Sequence, residues 1–337
     1  MTGGMKLNTK RLTEMAFAYK QAGTLVGAVE LDLFTLIDQG RDTVSALAGA
    51  LDLPEDVTDK LVTACVSQGL LEKNGETYRN TPDVDRYLVR GRPAYYGEYL
   101  IGQAKMEYDM WKEIASACRR PVQPVGMYQA LMRDDPNMAR DVTTAGYNAS
   151  IAAGYKMART FDFSSFSLYL DLGGGSGCYS IPACESNPKL KAIVFDFPTV
   201  LEVTREFIGK HGLSDRISTR PGDFVRDDLP SGADVISIIG NFHGTTREEA
   251  PAVVRKAAAA LAPGGALIIS DHMLNDEKTG PIESALFNLF FVASSTRGYI
   301  KTPAEVAGFM QRAGLENIEV GEFIPGSVTR VVGRKPR

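Results

Sequence analysis

The sequence predicts an α/β protein, with a helical first half followed by a doubly wound, seven-stranded sheet. Three observations carry this. Before residue 160, apolar residues recur at helical spacing. From Ser167 onward, short apolar β-rich runs alternate with helical segments at βαβ spacing. The first of those runs ends in the glycine-rich turn Gly173-Gly174-Gly175-Ser176-Gly177, where a doubly wound sheet places a ligand-binding loop.

Bulk properties narrow the function classes. At 337 residues the chain exceeds one typical domain, so two packed units are expected. With 44% hydrophobic and 23% charged residues it can bury a sizeable core. A formal charge of −4 argues against a generic nucleic-acid or anionic-membrane binder. No apolar run approaches the roughly 20 residues that span a bilayer. Met1–Lys10 has no apolar core of the signal-peptide kind, so a cytoplasmic enzyme is expected. Cys65, Cys118, Cys178 and Cys184 are widely spaced and are expected to be reduced and structural. His211, His243 and His272 show no metal-ligand spacing. A metal on His243, His272 and a nearby carboxylate is the weaker reading, and no metal is expected.

Residues 1–100 read as a winged-helix-like unit. Residues 11–38 are helical in pattern; Thr43 can cap the next helix, Pro54 can open another, and Gly69 can end it. "GLLEKNGETYRNT" then reads as a hairpin with Asn74-Gly75 as its turn pair. Such a unit serves either DNA binding or dimerisation. Its second helix carries Glu55, Asp56 and Asp59 against a single base, Lys60, the wrong sign for a phosphate backbone. Dimerisation is therefore favoured, giving a homodimer through the N-terminal domain.

Residues 101–160 read as a helical connector. Trp111, the tyrosines Tyr95, Tyr96, Tyr99 and Tyr108, and Met106, Met110 and Met127 serve either packing or the lining of a substrate pocket, and the two are compatible. Tyr108 and Met127 are the substrate candidates among them. Residues 161–337 supply the sheet, with strands expected at 167–172, 191–197, 216–224, 233–240, 266–274, 317–323 and 327–334.

The glycine turn alone is a moderate signal. A nicotinamide dinucleotide loop would place its third glycine at 178, which is cysteine, and no P-loop lysine follows. The acids at strand ends add more. Asp171 precedes the turn, Asp196 ends the second strand where it can accept ribose hydroxyls, and Asp223 follows the third. Each singly reads equally well as a helix cap; three in register after a glycine loop do not. Phe197 and Phe224 stand where they can sandwich an adenine ring.

In that order and spacing, "LDLGGGSG", "VFDFPTV", "PGDF" and "LAPGGALIISD" resemble the class I S-adenosylmethionine-dependent methyltransferases. More narrowly, they resemble the dimeric small-molecule O-methyltransferases of the caffeic acid and hydroxyindole type. That resemblance covers nearly the whole chain. It implies a Rossmann-like catalytic domain behind a winged-helix dimerisation domain, S-adenosylmethionine as cofactor, S-adenosylhomocysteine as product, and a small-molecule acceptor. It further implies that Asp171 and Gly173 hold the methionine end, Asp196 the ribose, and Asp223 with Phe224 the adenine; Gly175, and Asn241 after the fourth strand, join the cofactor set.

The catalytic motif departs from the family pattern. The family's histidine–aspartate–tryptophan becomes His243-Gly244-Thr245, followed by the capping box of Thr246 and Glu249. Imidazole, with a free pKa of about 6.5, suits a general base, and Asp271 takes the place of its first acidic partner. The second acidic partner becomes Ile300. His272 is expected to face away from the site. Phe287, Asn288, Phe291 and Arg297 are candidates for contact with the acceptor, Arg297 by gripping a carboxylate. Loss of one acid suits an acidic phenol or enol, which needs little help from a base, in secondary metabolism. C-methylation, a non-methylating relative, a metabolite-sensing transcriptional regulator and a nicotinamide-dependent oxidoreductase remain as alternatives.

Overall fold

The computed structural model describes residues 8–121 and 132–337. The chain divides into two compact units, Met1–Asp109 and Met110–Arg337.

In the first unit, α1 (Lys10–Ala16) and α2 (Ala18–Glu30) lead into α3 (Leu33–Asp38), α4 (Val44–Leu51) and α5 (Glu55–Ser67). The hairpin β1 (Leu71–Asn74) and β2 (Thr77–Asn80) follows, then α6 (Pro82–Tyr87) and α7 (Gly97–Lys112), which runs across the division. The expected start and stop signals act as such. Thr43 Oγ1 accepts from the Ala46 N–H at 3.3 Å, a cap worth about 1 kcal/mol. Gly69 ends α5 at φ +71°, letting the Leu70 N–H reach the Cys65 carbonyl at 2.9 Å. The hairpin turn sits one residue later than expected. Asn74 still pairs with Thr77, so Gly75-Glu76 form the loop and Gly75 alone takes positive φ. Phe34, Leu47, Val62 and Tyr78 close the core of this unit. Lys60 of α5 is paired with Asp56 at 2.9 Å, and Leu12 and Met15 of α1, Tyr19 of α2 and Phe17 between them stand exposed.

In the second unit, α8 (Ile114–Ala117) and the long α9 (Pro136–Thr160) precede the sheet. Asp135 caps α9 by accepting from the Asn137 and Met138 N–H groups. The sheet elements are β3 (Leu168–Leu172), α10 (Ser180–Ser186), β4 (Lys191–Asp196), α11 (Pro198–Lys210), β5 (Ile217–Pro221) and β6 (Ala233–Ile239). After them come α12 (Glu249–Ala260), β7 (Leu261–His272), α13 (Ile282–Ala293), α14 (Pro303–Arg312), β8 (Glu316–Ile324) and β9 (Val328–Arg334).

The seven strands lie in the order β5-β4-β3-β6-β7-β9-β8. The first five are parallel, and the terminal hairpin joins antiparallel through β7 and β9. Alternate residues feed two cores, as strand geometry requires. Tyr169, Val194, Val235 and Ile268 pack with Ile181, Leu201 and Met157 on one face; Leu170, Leu172, Ile236 and Ile269 pack with Val253, Val254 and Met310 on the other. The chain reverses direction across the sheet between β4 and β6, which flank β3. At such a switch point the loops beyond the strand ends part and leave a ligand crevice. Among the described residues no helix is long and apolar enough to cross a membrane, and no cluster of His, Cys, Asp and Glu could hold a metal ion.

Candidate active site

The glycine turn leaves β3 at the switch point. Gly173 sits at φ +64°, its N–H bonded to the Phe195 carbonyl at 2.8 Å. A Cβ there would collide with the Asn241 amide, so only glycine permits the loop to lie against the end of β6. Asp171 lies beneath the loop, 1% exposed, accepting from Ser180 Oγ at 2.8 Å and Ser237 Oγ at 2.7 Å. Burial pushes its carboxyl up, while the two hydroxyls pull the other way.

Asp196 joins two elements of the crevice. One carboxylate oxygen accepts from the Gly175 N–H at 2.9 Å, and the other from the Phe197 N–H at 2.7 Å. Burial raises its pKa to about 6 against those two bonds. Asp223 shapes its own turn by accepting from the Val225 N–H at 2.9 Å, and its side chain stays 24% exposed. The Phe224 ring approaches Gly173, bringing the loop after β5 onto the loop after β3. Phe197 lies half-buried at the entry to α11.

Asn241 follows β6 and binds the same loop. Its amide donates to the Leu172 carbonyl at 3.1 Å and the Gly173 carbonyl at 2.8 Å. Its Oδ1 is buried without a partner among the described residues. An orphaned acceptor, a glycine turn that admits no side chain and a strand-end carboxylate together fit a ligand carrying donor groups that reaches the main chain.

His243 occupies a short 3₁₀ turn, Phe242–Gly244, beyond Asn241. Its Nδ1 lies 2.8 Å from Asp271 Oδ1, and its backbone N–H donates to Asp271 Oδ2 at 2.9 Å. Asp271 is 3% exposed at the end of β7. Burial would raise its carboxyl, but the charge and hydrogen bonds of His243 hold it below the usual carboxylate range. An ionised carboxylate only accepts, so in the neutral imidazole Nδ1 carries the proton and Nε2 presents its lone pair.

Phe287 and Phe291, four residues apart on α13, face this imidazole together. Their ring centroids lie 4.7 and 5.9 Å from that of His243. Ile300 is 2% exposed and joins Leu274, Phe287 and Phe291 in one apolar cluster, so the place of the second acid is a hydrophobic wall. Asn288 ties α13 to that wall by accepting from the Ile300 N–H at 2.8 Å. Arg297 is exposed, with its charge near Glu248. Tyr108 is exposed on α7 in the N-terminal unit, and Met127 lies outside the described residues.

Two residues were not anticipated. His272, expected to face away, meets Phe287 edge-on at 5.3 Å, so one ring separates two histidines. Strand alternation turns successive side chains apart, but the Phe287 ring meets both imidazoles. Lys301 is a buried lysine directly behind the His243 turn. Its only sequence signal is a cation immediately before the helix-capping Thr302.

Two family models match the chain: an O-methyltransferase dimerisation domain over residues 13–90, and an O-methyltransferase domain over residues 117–316. This chain belongs to the O-methyltransferase family. The methyltransferase is 30% identical to a 3-hydroxy-5-methyl-1-naphthoate 3-O-methyltransferase of Streptomyces sahachiroi, over 96% of this chain and 94% of that one. It is also 30% identical to the tetracenomycin polyketide synthesis 8-O-methyl transferase TcmO of Streptomyces glaucescens, over 97% and 96%. Its fold superposes with a TM-score of 0.85 on an O-methyltransferase family protein from Burkholderia thailandensis, 25% identical over 98% of this chain and 99% of that one. It is an S-adenosylmethionine-dependent methyltransferase of the Rossmann-like fold with a helical N-terminal dimerisation domain.

Proposed function

We propose that the methyltransferase methylates a phenolic or enolic hydroxyl of a small aromatic secondary metabolite, with His243 as general base. The observation that carries this is the pair of hydrogen bonds between His243 and Asp271, which orients the imidazole and leaves Nε2 of its neutral form to accept a proton. S-adenosylmethionine, when bound, supplies a methyl group already activated on a sulfonium. His243 takes the acceptor's proton at Nε2, and the resulting imidazolium is stabilised by the buried Asp271 carboxylate. The freed acceptor oxygen is then the nucleophile.

Phe287, Phe291 and Ile300 offer a flat apolar wall beside the base, which suits a planar ring. With Ile300 in place of a second acid, the acceptor must surrender its proton easily, as a phenol or enol does. Asn288 positions this wall, and Arg297 at its rim receives an acceptor carboxylate. Asp171 holds the loop in place; Gly173, Gly175 and Asn241 take the methionine end, Asp196 the ribose hydroxyls, and Asp223, Phe197 and Phe224 the adenine. Residues 1–100 serve dimerisation and 161–337 cofactor binding and catalysis, with 101–160 as a helical connector. The exposed apolar residues Leu12, Met15, Phe17 and Tyr19 support a homodimer through the N-terminal domain.

The test is transfer of labelled methyl from S-adenosylmethionine to a panel of hydroxynaphthoates and hydroxyquinones, with mass spectrometry to locate the new methyl. Methylation at oxygen, reduced roughly 10²-fold or more in His243→Ala, is expected. Methylation at carbon, or turnover that survives His243→Ala, overturns the reading.

A further inference from the structure

A buried cation with every donor engaged stands behind the base. Lys301 is 2% exposed. Its Nζ donates to the carbonyls of Phe242 at 2.8 Å, Thr245 at 2.8 Å and Tyr299 at 3.1 Å. Phe242 opens the turn that carries His243 and Thr245 follows it, while Tyr299 belongs to the wall segment. The ammonium also lies over the rings of Phe242 and Tyr299, 4.9 and 4.1 Å from their centroids. An ammonium has three N–H donors and an amine two, so three carbonyls match the charged form.

The segment around it is joined to the turn at other points. The Tyr299 N–H donates to the His243 carbonyl at 3.0 Å. A Cβ at Gly298 would lie 2.7 Å from that same carbonyl and 2.6 Å from Phe291 Cε1, so the approach requires glycine. The Lys301 carbonyl accepts from the Leu274 N–H at 3.0 Å, two residues past the end of β7. Base, orienting acid and apolar wall therefore converge on one lysine.

We propose that Lys301, as an ammonium, is a positioning residue for methyl transfer that clasps both sides of the His243 turn and sets the base against the acceptor wall. This rests on His243 being the base. Burial pulls the lysine's pKa down to about 7. Asp271 of β7, Glu305 of α14 and Glu249 of α12 favour the charge, while Arg247 of the preceding loop opposes it. The clasp is therefore strongest below neutrality and weakens as pH rises, unlike a histidine base, which works better once deprotonated.

Amide hydrogen exchange on the full-length enzyme saturated with S-adenosylhomocysteine tests this without an acceptor. In Lys301→Met, exchange at the His243 and Tyr299 amides is expected to rise tenfold or more, with Gly173 and Gly175 unchanged. In the parent, protection at His243, corrected for intrinsic exchange, is expected to fall between pH 6 and 9. In Lys301→Arg, which stays charged, it is expected to hold. Unchanged exchange at His243 in Lys301→Met, or a uniform rise across the second unit, overturns the proposal. If Lys301→Met does not fold, the parent and Lys301→Arg decide: identical pH dependence in the two overturns it. None of these readouts depends on His243 acting as a base, so loss of that reading through His243→Ala is a separate result.

Discussion

Asp271 binds His243 twice, once through the imidazole Nδ1 at 2.8 Å and once through the backbone N–H at 2.9 Å. The same carboxylate therefore orients the ring and anchors the turn that carries it. Asp271→Asn keeps the shape but loses the anionic acceptor that fixes the tautomer. Turnover is expected to fall roughly 10²-fold or more while S-adenosylhomocysteine affinity stays within about threefold. Steady-state kinetics beside calorimetry on one preparation checks this; a parallel loss of both would refute the separation of roles.

If Asp196 receives the ribose as proposed, cofactor affinity is expected to depend on pH. Its pKa in the free protein is raised to about 6, and ribose hydroxyls are best received by the carboxylate. Protons therefore compete with the cofactor: affinity should rise as pH climbs from 5 through about 6 and then level. For folding the sign is opposite. The folded protein holds this proton more tightly than the unfolded chain, so the contribution to stability is present below about 4 and is lost as pH rises through about 6. Calorimetry with S-adenosylhomocysteine at pH 5 and 7.5 tests the first statement; Asp196→Ala should bind at least tenfold more weakly and show a flat pH dependence.

Gly173→Ala combines a positive φ with a collision at Asn241. A fall in stability of about 1–3 kcal/mol and loss of cofactor binding are expected. Thermal melts with and without S-adenosylhomocysteine would show it, and a ligand-induced shift equal to the parent's would contradict it.

Restoring the second acid is expected to fail. Ile300→Glu places a carboxylate among the apolar side chains of Leu274, Phe287 and Phe291. An unpaired buried charge costs several kcal/mol, so a clear drop in melting temperature without gain in turnover is expected. Faster methylation of an aliphatic alcohol by a stable Ile300→Glu protein would show that the wall has room for an acid.

Much of this was legible because the motifs are local. Glycine at 173, 175 and 177, the strand-end Asp196 and Asp223, and His243 before a capping box each follow from chain geometry at one strand end. The strands fell within a few residues of their expected places, and β7 began earlier, at Leu261, because it leaves α12 without a loop. The hairpin turn shifted by one residue because Asn74 is held in the ladder by Thr77. Long-range relations were not legible. Nothing in "DHM" shows that His272 borders Phe287, and nothing in "YIKTP" shows a lysine buried among carbonyls 56 and 59 residues earlier. Those facts arise from packing between segments whose spacing carries no period.

The capping box of Thr302 and Glu305 begins α14 directly after Lys301. Upstream of that join, residues 282–297 carry Phe287 and Phe291 of the wall proposed for the acceptor, but none of the strand-end groups proposed for the cofactor. The join is therefore expected to mark one edge of an exchangeable cassette: replacing the stretch before Gly298 should change the acceptor while leaving affinity for the methyl donor unaltered.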